Sequence, residues 1–290
     1  MAIDVPGQPG TRVAVEVHHP QSGRMALLSS GLGLPMTLWH PVVERLAGVR
    51  CVLFDRPGLG GSTPWHHEPG LSGQVALLEA VRAAADARGD TPVVLVGHSY
   101  AGLHVEAHAR RHPDRVAGLV LVDPSLPEHE AATLSLADLS PRLVRRLVAR
   151  WPWLGRPASR LVAMTGTAGL DPGPAVVASL RAVAESPRHQ QGTLDELERI
   201  GSEAVELLAL VAGVPLPDVE VRLLAATRRP GPLPGDNGRW VAALARRAEE
   251  LGPRARLVPV RGAHLLMADA PDEVAAQVRQ LLEGAASPGV

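Results

Sequence analysis

The stretch that most constrains this 290-residue chain is Val93-Val94-Leu95-Val96-Gly97-His98-Ser99-Tyr100-Ala101-Gly102. Four apolar residues in a row, three of them β-branched, read as a strand buried on both faces. The run stops at Gly97, and a helical pattern over Tyr100–His112 begins almost at once. A strand that turns straight into a helix holds the turn residue, Ser99, in a strained backbone, with its hydroxyl at the end of the sheet. Small residues at Gly97 and Ala101 let the two elements approach. The helix N-terminus also brings N–H groups and positive partial charge to that spot. An ordinary turn with Ser99 as helix N-cap fits the same residues.

The flanking sequence repeats the alternation. Arg12–His18 alternates apolar and polar residues, as an antiparallel edge strand does. Met25–Leu28 and Cys51–Phe54 are short apolar runs that end at glycine-rich loops, with a helix expected between them over Met36–Ala47. Leu71–Arg88 has a helical pattern, Pro92–Val96 is β-branched, and Val116–Val122 is a further apolar run. Such alternation predicts an α/β fold, a mostly parallel sheet flanked by helices. After Asp123 the pattern changes: residues 125–218 hold helical stretches broken by proline and glycine, and no convincing strand. The sheet pattern resumes at Val219–Ala226, followed by a helix at Gly238–Leu251, a strand at Arg254–Val260 and a helix at Pro271–Glu283. The chain thus reads as a core of residues 1–124 and 219–290, interrupted by a helical cap over 125–218. Gly284–Val290 reads as a frayed tail.

Composition removes several classes. All 29 basic residues are arginine, and 30 acids bring the formal net charge to −1, so the broad basic field of a nucleic-acid-coating protein is absent. One cysteine, Cys51, excludes an internal disulfide and a four-cysteine zinc site. At 46% hydrophobic and 20% charged, the chain is globular in composition. The start, MAIDVPGQPG, lacks a basic and then apolar leader pattern. Residues 25–43 carry no charge, but Ser29, Ser30, Gly31, Gly33, Pro35 and His40 break them. They read as a buried strand and a glycine loop rather than the roughly 20 apolar residues of a membrane span. A cytoplasmic location is the default expectation.

Four segments, taken in order, carry a resemblance. They are Ser30-Gly31-Leu32-Gly33 with Trp39, Asp55-Arg56-Pro57-Gly58-Leu59-Gly60-Gly61-Ser62, Gly97 to Gly102, and Gly262-Ala263-His264 with Asp269 and Pro271 beyond. Together they resemble the α/β-hydrolase family over nearly the whole chain: its oxyanion loop, its D-x-x-G-x-G-x-S loop, its nucleophile elbow and its catalytic histidine loop. In that family's order the helical insertion follows the sixth strand. Ala101 stands where the common elbow has glycine, and Ser30 where many relatives have histidine.

The resemblance implies a serine hydrolase acting on carboxylic esters through an acyl-enzyme. Ser99 would be the nucleophile and His264 its base, with the N–H groups of Leu32 and Tyr100 as the oxyanion hole. The absence of lysine removes a Ser–Lys dyad. Gly31, Trp39, His98, Trp151 and Trp153 are the expected substrate-binding residues, and a small ester-like molecule is the expected partner. No cofactor, metal or nucleic acid is expected. The haloalkane dehalogenase and epoxide hydrolase branches use aspartate where Ser99 stands. Acyltransferase, thioesterase, amidase or iminopeptidase, and cofactor-free perhydrolase would use the same triad. A non-catalytic small-molecule receptor on this scaffold is the rival from another class.

A carboxylate must complete the triad. The family's common place for it, after the strand at 219–226, reads Thr227-Arg228-Arg229-Pro230-Gly231, and the first acid beyond is Asp236. The family's other place is the end of the preceding strand, where Leu119-Val120-Leu121-Val122 runs into Asp123. Asp123 is preferred because a C-terminal strand tip faces the crevice of such a sheet. Asp236 stays as the alternative, and a turn aspartate before Pro124 is the structural reading of Asp123. Asp55 and Arg56 read as loop supports. His104, His108 and His112 read as a polar helix stripe rather than a metal site, and His66-His67-Glu68 as a solvated loop. The arginine-rich stretch Pro141–Arg160 reads as a cap helix with a solvated face rather than a membrane-binding lid. Of the five tryptophans, Trp240 alone has no evident link to the site.

Overall fold

The computed structural model of the chain describes residues 1–86, 89, 91–137, 173–228 and 237–285. Eight strands form one sheet: β1 (Ala2–Asp4), β2 (Arg12–His18), β3 (Met25–Ser29), β4 (Arg50–Phe54), β5 (Val93–His98), β6 (Val116–Val122), β7 (Glu220–Ala226) and β8 (Ala255–Val260). Their order across the sheet is β1-β2-β4-β3-β5-β6-β7-β8. β1 pairs antiparallel with β2, and β2 with β4; every other pair is parallel.

Parallel neighbours need crossover connections, which helices supply. The α-helices among the described residues are α1 (His40–Val43), α2 (Gly70–Ala85), α3 (Ala101–Arg111), α4 (Pro127–Ala137), α5 (Pro174–Glu185), α6 (Pro187–Gly213), α7 (Gly238–Leu251), α8 (Leu266–Asp269) and α9 (Pro271–Ala285). Alternate residues of the central strands serve opposite faces. Ala26, Leu28, Val94, Val96, Val120 and Val122 share a core with Val42 of α1 and with Val274 and Val278 of α9. Met25, Leu27, Val93, Leu95, Leu119 and Leu121 share the other with Leu77 and Leu78 of α2 and Val105 of α3. This double burial is why the strands read as continuous apolar runs.

Two local expectations change. β2 is not the edge strand: β1 flanks it, in the register Ile3 to Val13. The expected helix over Met36–Ala47 is a 3₁₀ turn, Met36–Trp39, and one α-turn ending at Val43. Pro35 and Pro41 bracket the turn, and proline can supply no backbone donor to a longer helix.

Between β6 and β7 the described residues contain no strand, only α4, α5 and α6. The 27-residue α6 is started by Ser186, whose side chain accepts the His189 N–H at 3.3 Å, with Pro187 as first residue. Ile200, Ala204 and Leu207 pack its lower half on Leu71 and Val75 of α2 and on Tyr100, Leu103 and Ala107. Its upper half presses on the loop after β4. A β-carbon on Gly192 would lie 2.5 Å from the Gly58 carbonyl oxygen, so only glycine permits that approach. No helix among the described residues is long and apolar enough to cross a membrane.

Candidate active site

Ser99 occupies the turn between β5 and α3 with φ of +50°. A non-glycine residue held there costs on the order of 1–3 kcal/mol, so its surroundings must enforce the conformation. Its N–H donates to the Val122 carbonyl at 3.0 Å, which ties the turn to β6. Its carbonyl accepts from Gly102 at 2.9 Å and from Ser125 at 3.1 Å. Gly97 keeps the turn tight, since a β-carbon there would lie 2.8 Å from the Ala101 carbonyl oxygen.

Asp123, directly after β6, also has a positive φ, +43°. Its Oδ2 lies 2.6 Å from Nδ1 of His264, and its Oδ1 accepts the Ala226 N–H at 3.0 Å and the Trp240 indole N–H at 2.9 Å. Three donors thus hold one buried carboxylate. Because a carboxylate accepts, Nδ1 of His264 carries the proton and Nε2 is left with its lone pair. The His264 side chain is 40% exposed against 5% for Asp123, so the imidazole reaches solvent while its carboxylate partner does not.

His98 braces the same loop. Its Nε2–H donates to the His264 carbonyl at 2.9 Å, and the two ring centroids are 4.6 Å apart. Burial above all, and then the neighbouring His264, hold the His98 imidazole well below its ordinary pKa, so it is a neutral donor. The expectation of His98 as a substrate contact is therefore corrected: the side chain is wholly buried and works on the main chain of the His264 loop. Across that loop, Asp269 accepts the Ala263 N–H at 2.8 Å, and burial raises its carboxyl above the usual range.

The Ser30–Gly33 loop lies against the serine. A β-carbon on Gly31 would sit 3.1 Å from Cβ of Ser99 and 2.6 Å from Nδ1 of His98. Arg56 holds the loop from the other side, donating to the carbonyls of Ser30 and Gly31, the latter at 2.6 Å. Glu196 of α6 clamps Arg56 at 2.5 and 2.9 Å and accepts the Gly33 N–H at 2.7 Å. His189 of α6 donates to the Gly33 carbonyl at 2.8 Å. Asp55 accepts from Met36 at 2.8 Å and from Gly61 at 2.9 Å. Both residues of the Asp55-Arg56 pair are thus loop supports, and the partner of Arg56 is Glu196, a residue that no local motif points to. Among the described residues, the N–H groups of Leu32 and Tyr100 donate to no protein acceptor.

Other sequence candidates fall elsewhere. Trp39 is fully buried among helix and sheet residues of the core, which corrects its expected contact with substrate. Trp65 packs against the opposite core. Trp240, expected to have no link, reaches Asp123. Its place in the first turn of α7, just beyond the tip of β7, is the signal that local reading passes over. Asp236, Trp151, Trp153 and the stretch Pro141–Arg160 lie outside the described residues. His104 and His108 pair with Glu203 and Glu79 at 2.7 and 3.1 Å rather than facing a shared centre. Among the described residues, the group with metal-ligand spacing is Glu16, His18 and His40, whose donor atoms lie within 4.8 Å of one another. There Glu16 already accepts from His40 at 2.8 Å and His18 at 3.4 Å. Burial pushes the Cys51 thiol up to about 12, which leaves it unreactive.

Residues 27–156 match the sequence model of the family described as alpha/beta hydrolase fold. Lipase LipV of Mycobacterium tuberculosis is 33% identical over 115 residues, 39% of this chain and 41% of LipV. Esterase PIR7B of Oryza sativa subsp. japonica is 38% identical over 105 residues, 35% of this chain and 38% of PIR7B. The chain spans about two-fifths of the length of the curated relatives it matches. Among solved structures, ALR0039 of Nostoc sp PCC 7120 superposes with a TM-score of 0.76 at 18% identity, covering 97% of each chain. At that identity the likeness shows the fold. The chain therefore has the α/β-hydrolase fold, and residues 27–156 resemble that family in sequence.

Proposed function

We propose that this protein is a serine hydrolase that cleaves small carboxylic esters through an acyl-enzyme. The reading rests above all on the 2.6 Å pair of His264 and Asp123, set beside a serine held at φ of +50°. Ser99 Oγ attacks the ester carbonyl while its proton passes to Nε2 of His264. The carbonyl oxygen becomes an oxyanion facing the free N–H groups of Leu32 and Tyr100. As the ester C–O bond breaks, the proton moves from His264 to the departing alcohol. Water then adds to the acyl-enzyme, giving its proton to His264, and the acid leaves as Ser99 regains the proton. Asp123 fixes the imidazole tautomer and stabilises the imidazolium. The similarity to LipV, a lipase, and PIR7B, an esterase, supports the ester class. Residues 125–218 serve as a cap that sets which acyl and alcohol groups enter.

A fluorophosphonate probe tests the reading directly. Ser99 is expected to be labelled, and Ser99→Ala to abolish both labelling and turnover of short p-nitrophenyl esters. A protein that neither labels nor turns over such esters would be a binding protein on this scaffold.

A further inference from the structure

We infer that α6 positions both arms of the oxyanion hole, with Glu196 and Glu203 as positioning residues, one for each arm. The inference rests on the ester-hydrolase reading above. His189, Glu196 and Glu203 recur every seven residues, two helical turns, so they line one stripe of α6. That stripe faces the active-site loops.

The first arm is the Ser30–Gly33 loop. His189 takes the Gly33 carbonyl at 2.8 Å and Glu196 takes its N–H at 2.7 Å, so α6 grips both faces of one residue. Glu196 also orients Arg56, which draws in the Gly31 carbonyl at 2.6 Å. That carbonyl and the Leu32 N–H share one planar trans peptide and point in opposite directions. Holding the carbonyl on Arg56 therefore aims the Leu32 N–H away from it. At Gly31 the carbonyl meets Arg56 and the Leu34 N–H, the latter at 3.1 Å, whereas a β-carbon would meet Ser99, so the serine touches a different face of the residue from the one Arg56 holds.

The second arm is Tyr100. Its hydroxyl donates to Glu203 at 2.6 Å, and Glu203 also accepts from His104 at 2.7 Å and Gln74 at 3.2 Å. Burial alone would raise the Glu203 carboxyl, but His104, Tyr100 and Gln74 outweigh it and hold the group below the ordinary range. Glu203 thus stays ionised and fixes Tyr100, the N-cap residue directly ahead of α3.

Side chains of Arg56, Glu196 and Glu203 are only 3%, 1% and 0% exposed. Charges so deep cost much of what their attraction returns, and an apolar contact would secure α6 at least as well. What the ionic contacts add is direction: bidentate and charge-assisted bonds set angles as well as distances.

The test compares Glu196→Gln, Glu196→Ala and Glu203→Gln with the unmodified protein and with Glu206→Gln, a change on the same helix away from both loops. Turnover of p-nitrophenyl butyrate is measured per Ser99 titrated by fluorophosphonate, together with the affinity of phenylboronic acid, which mimics the tetrahedral anion. Glu196→Ala is expected to lower kcat per titrated site about 100-fold, and each Gln variant about 10-fold, with KM within about twofold. Boronate affinity should fall in step with kcat, and Glu206→Gln should match the unmodified protein. If Glu196→Ala does not fold, the two Gln variants decide. Lower melting temperatures with kcat per titrated site within about twofold of the parent would overturn the positioning role and leave the esterase reading standing. An unmodified protein that neither labels nor turns over the ester would overturn both.

Discussion

Asp123 carries two loads that local sequence separates poorly. It follows β6 at φ of +43°, a conformation unusual ahead of proline, and it also meets His264, 141 residues away. Asp123→Asn keeps the shape but places an amide where Nδ1 of His264 needs an acceptor, favouring the wrong tautomer. A loss in kcat on the order of 10⁴ is expected, with Ser99 still folded in place. Asp236→Asn should stay within about threefold, and a large loss there with an active Asp123→Asn would transfer the role to Asp236. Trp240→Phe tests the support of the carboxylate. Removing one N–H donor to a charged group costs about 1.5–3 kcal/mol, so kcat should fall about 10- to 100-fold with KM little changed. The positions of Ser99 and Asp123 stand out because each directly follows an apolar run, whereas His264, four residues past β8, is marked only by the resemblance of its Gly-Ala-His loop. Trp240 does not stand out, because its partner lies 117 residues away and only the order of β6 beside β7 brings them together.

Helix α6 shows where element-level reading stops. The central strands announce themselves, since both faces are buried and the apolar runs are unbroken. β1 does not: three residues ahead of Pro6 and Gly7 become a strand only through pairing with β2. α6 is harder still, because Gln190, Glu196, Arg199 and Glu203 are buried, contrary to the rule that polar residues mark the solvent face. Besides its apolar contact, the long helix is held by ionic contacts with Arg56, Glu68 and His104, which lie far along the chain. Gly192 gives a test in which two effects oppose. Alanine in a helix interior is favoured over glycine by about 1 kcal/mol. Here the new β-carbon would meet the Gly58 backbone at 2.5 Å, and overpacking of that kind costs about 1–3 kcal/mol. Gly192→Ala should therefore lower the urea midpoint, whereas Gly213→Ala, with nothing within 4 Å, should leave it level or raise it. A Gly192→Ala protein more stable than the parent would show that α6 does not press on the loop after β4.

At the scale of the whole molecule, the two sides of the site are braced by buried neutral histidines, and this gives stability a pH signature. His98 holds the His264 loop and His189 holds Gly33; burial above all keeps each imidazole below its ordinary value of 6.5. For a base whose folded pKa is lowered, the unfolded chain binds the proton first as pH falls. Stability is thus intact above about pH 6.5 and is lost below it, by up to about 1.4 kcal/mol per pH unit for each group. Carboxylates held below their ordinary 4.5 or 3.8, such as Glu203 and Asp86, protect the fold down to those values and contribute loss only at lower pH. Between pH 7.5 and 5.5 the lowered imidazoles, His112 among them, therefore dominate, and the unfolding free energy should fall with pH across that interval. Urea denaturation across that interval measures the sum, and His98→Gln should flatten the slope by about one proton. A profile that is level from pH 7.5 to 5.5, or unchanged in His98→Gln, would mean that the imidazole braces are protonated in the folded protein, and that the neutral Nε2 donor to the His264 loop is wrong.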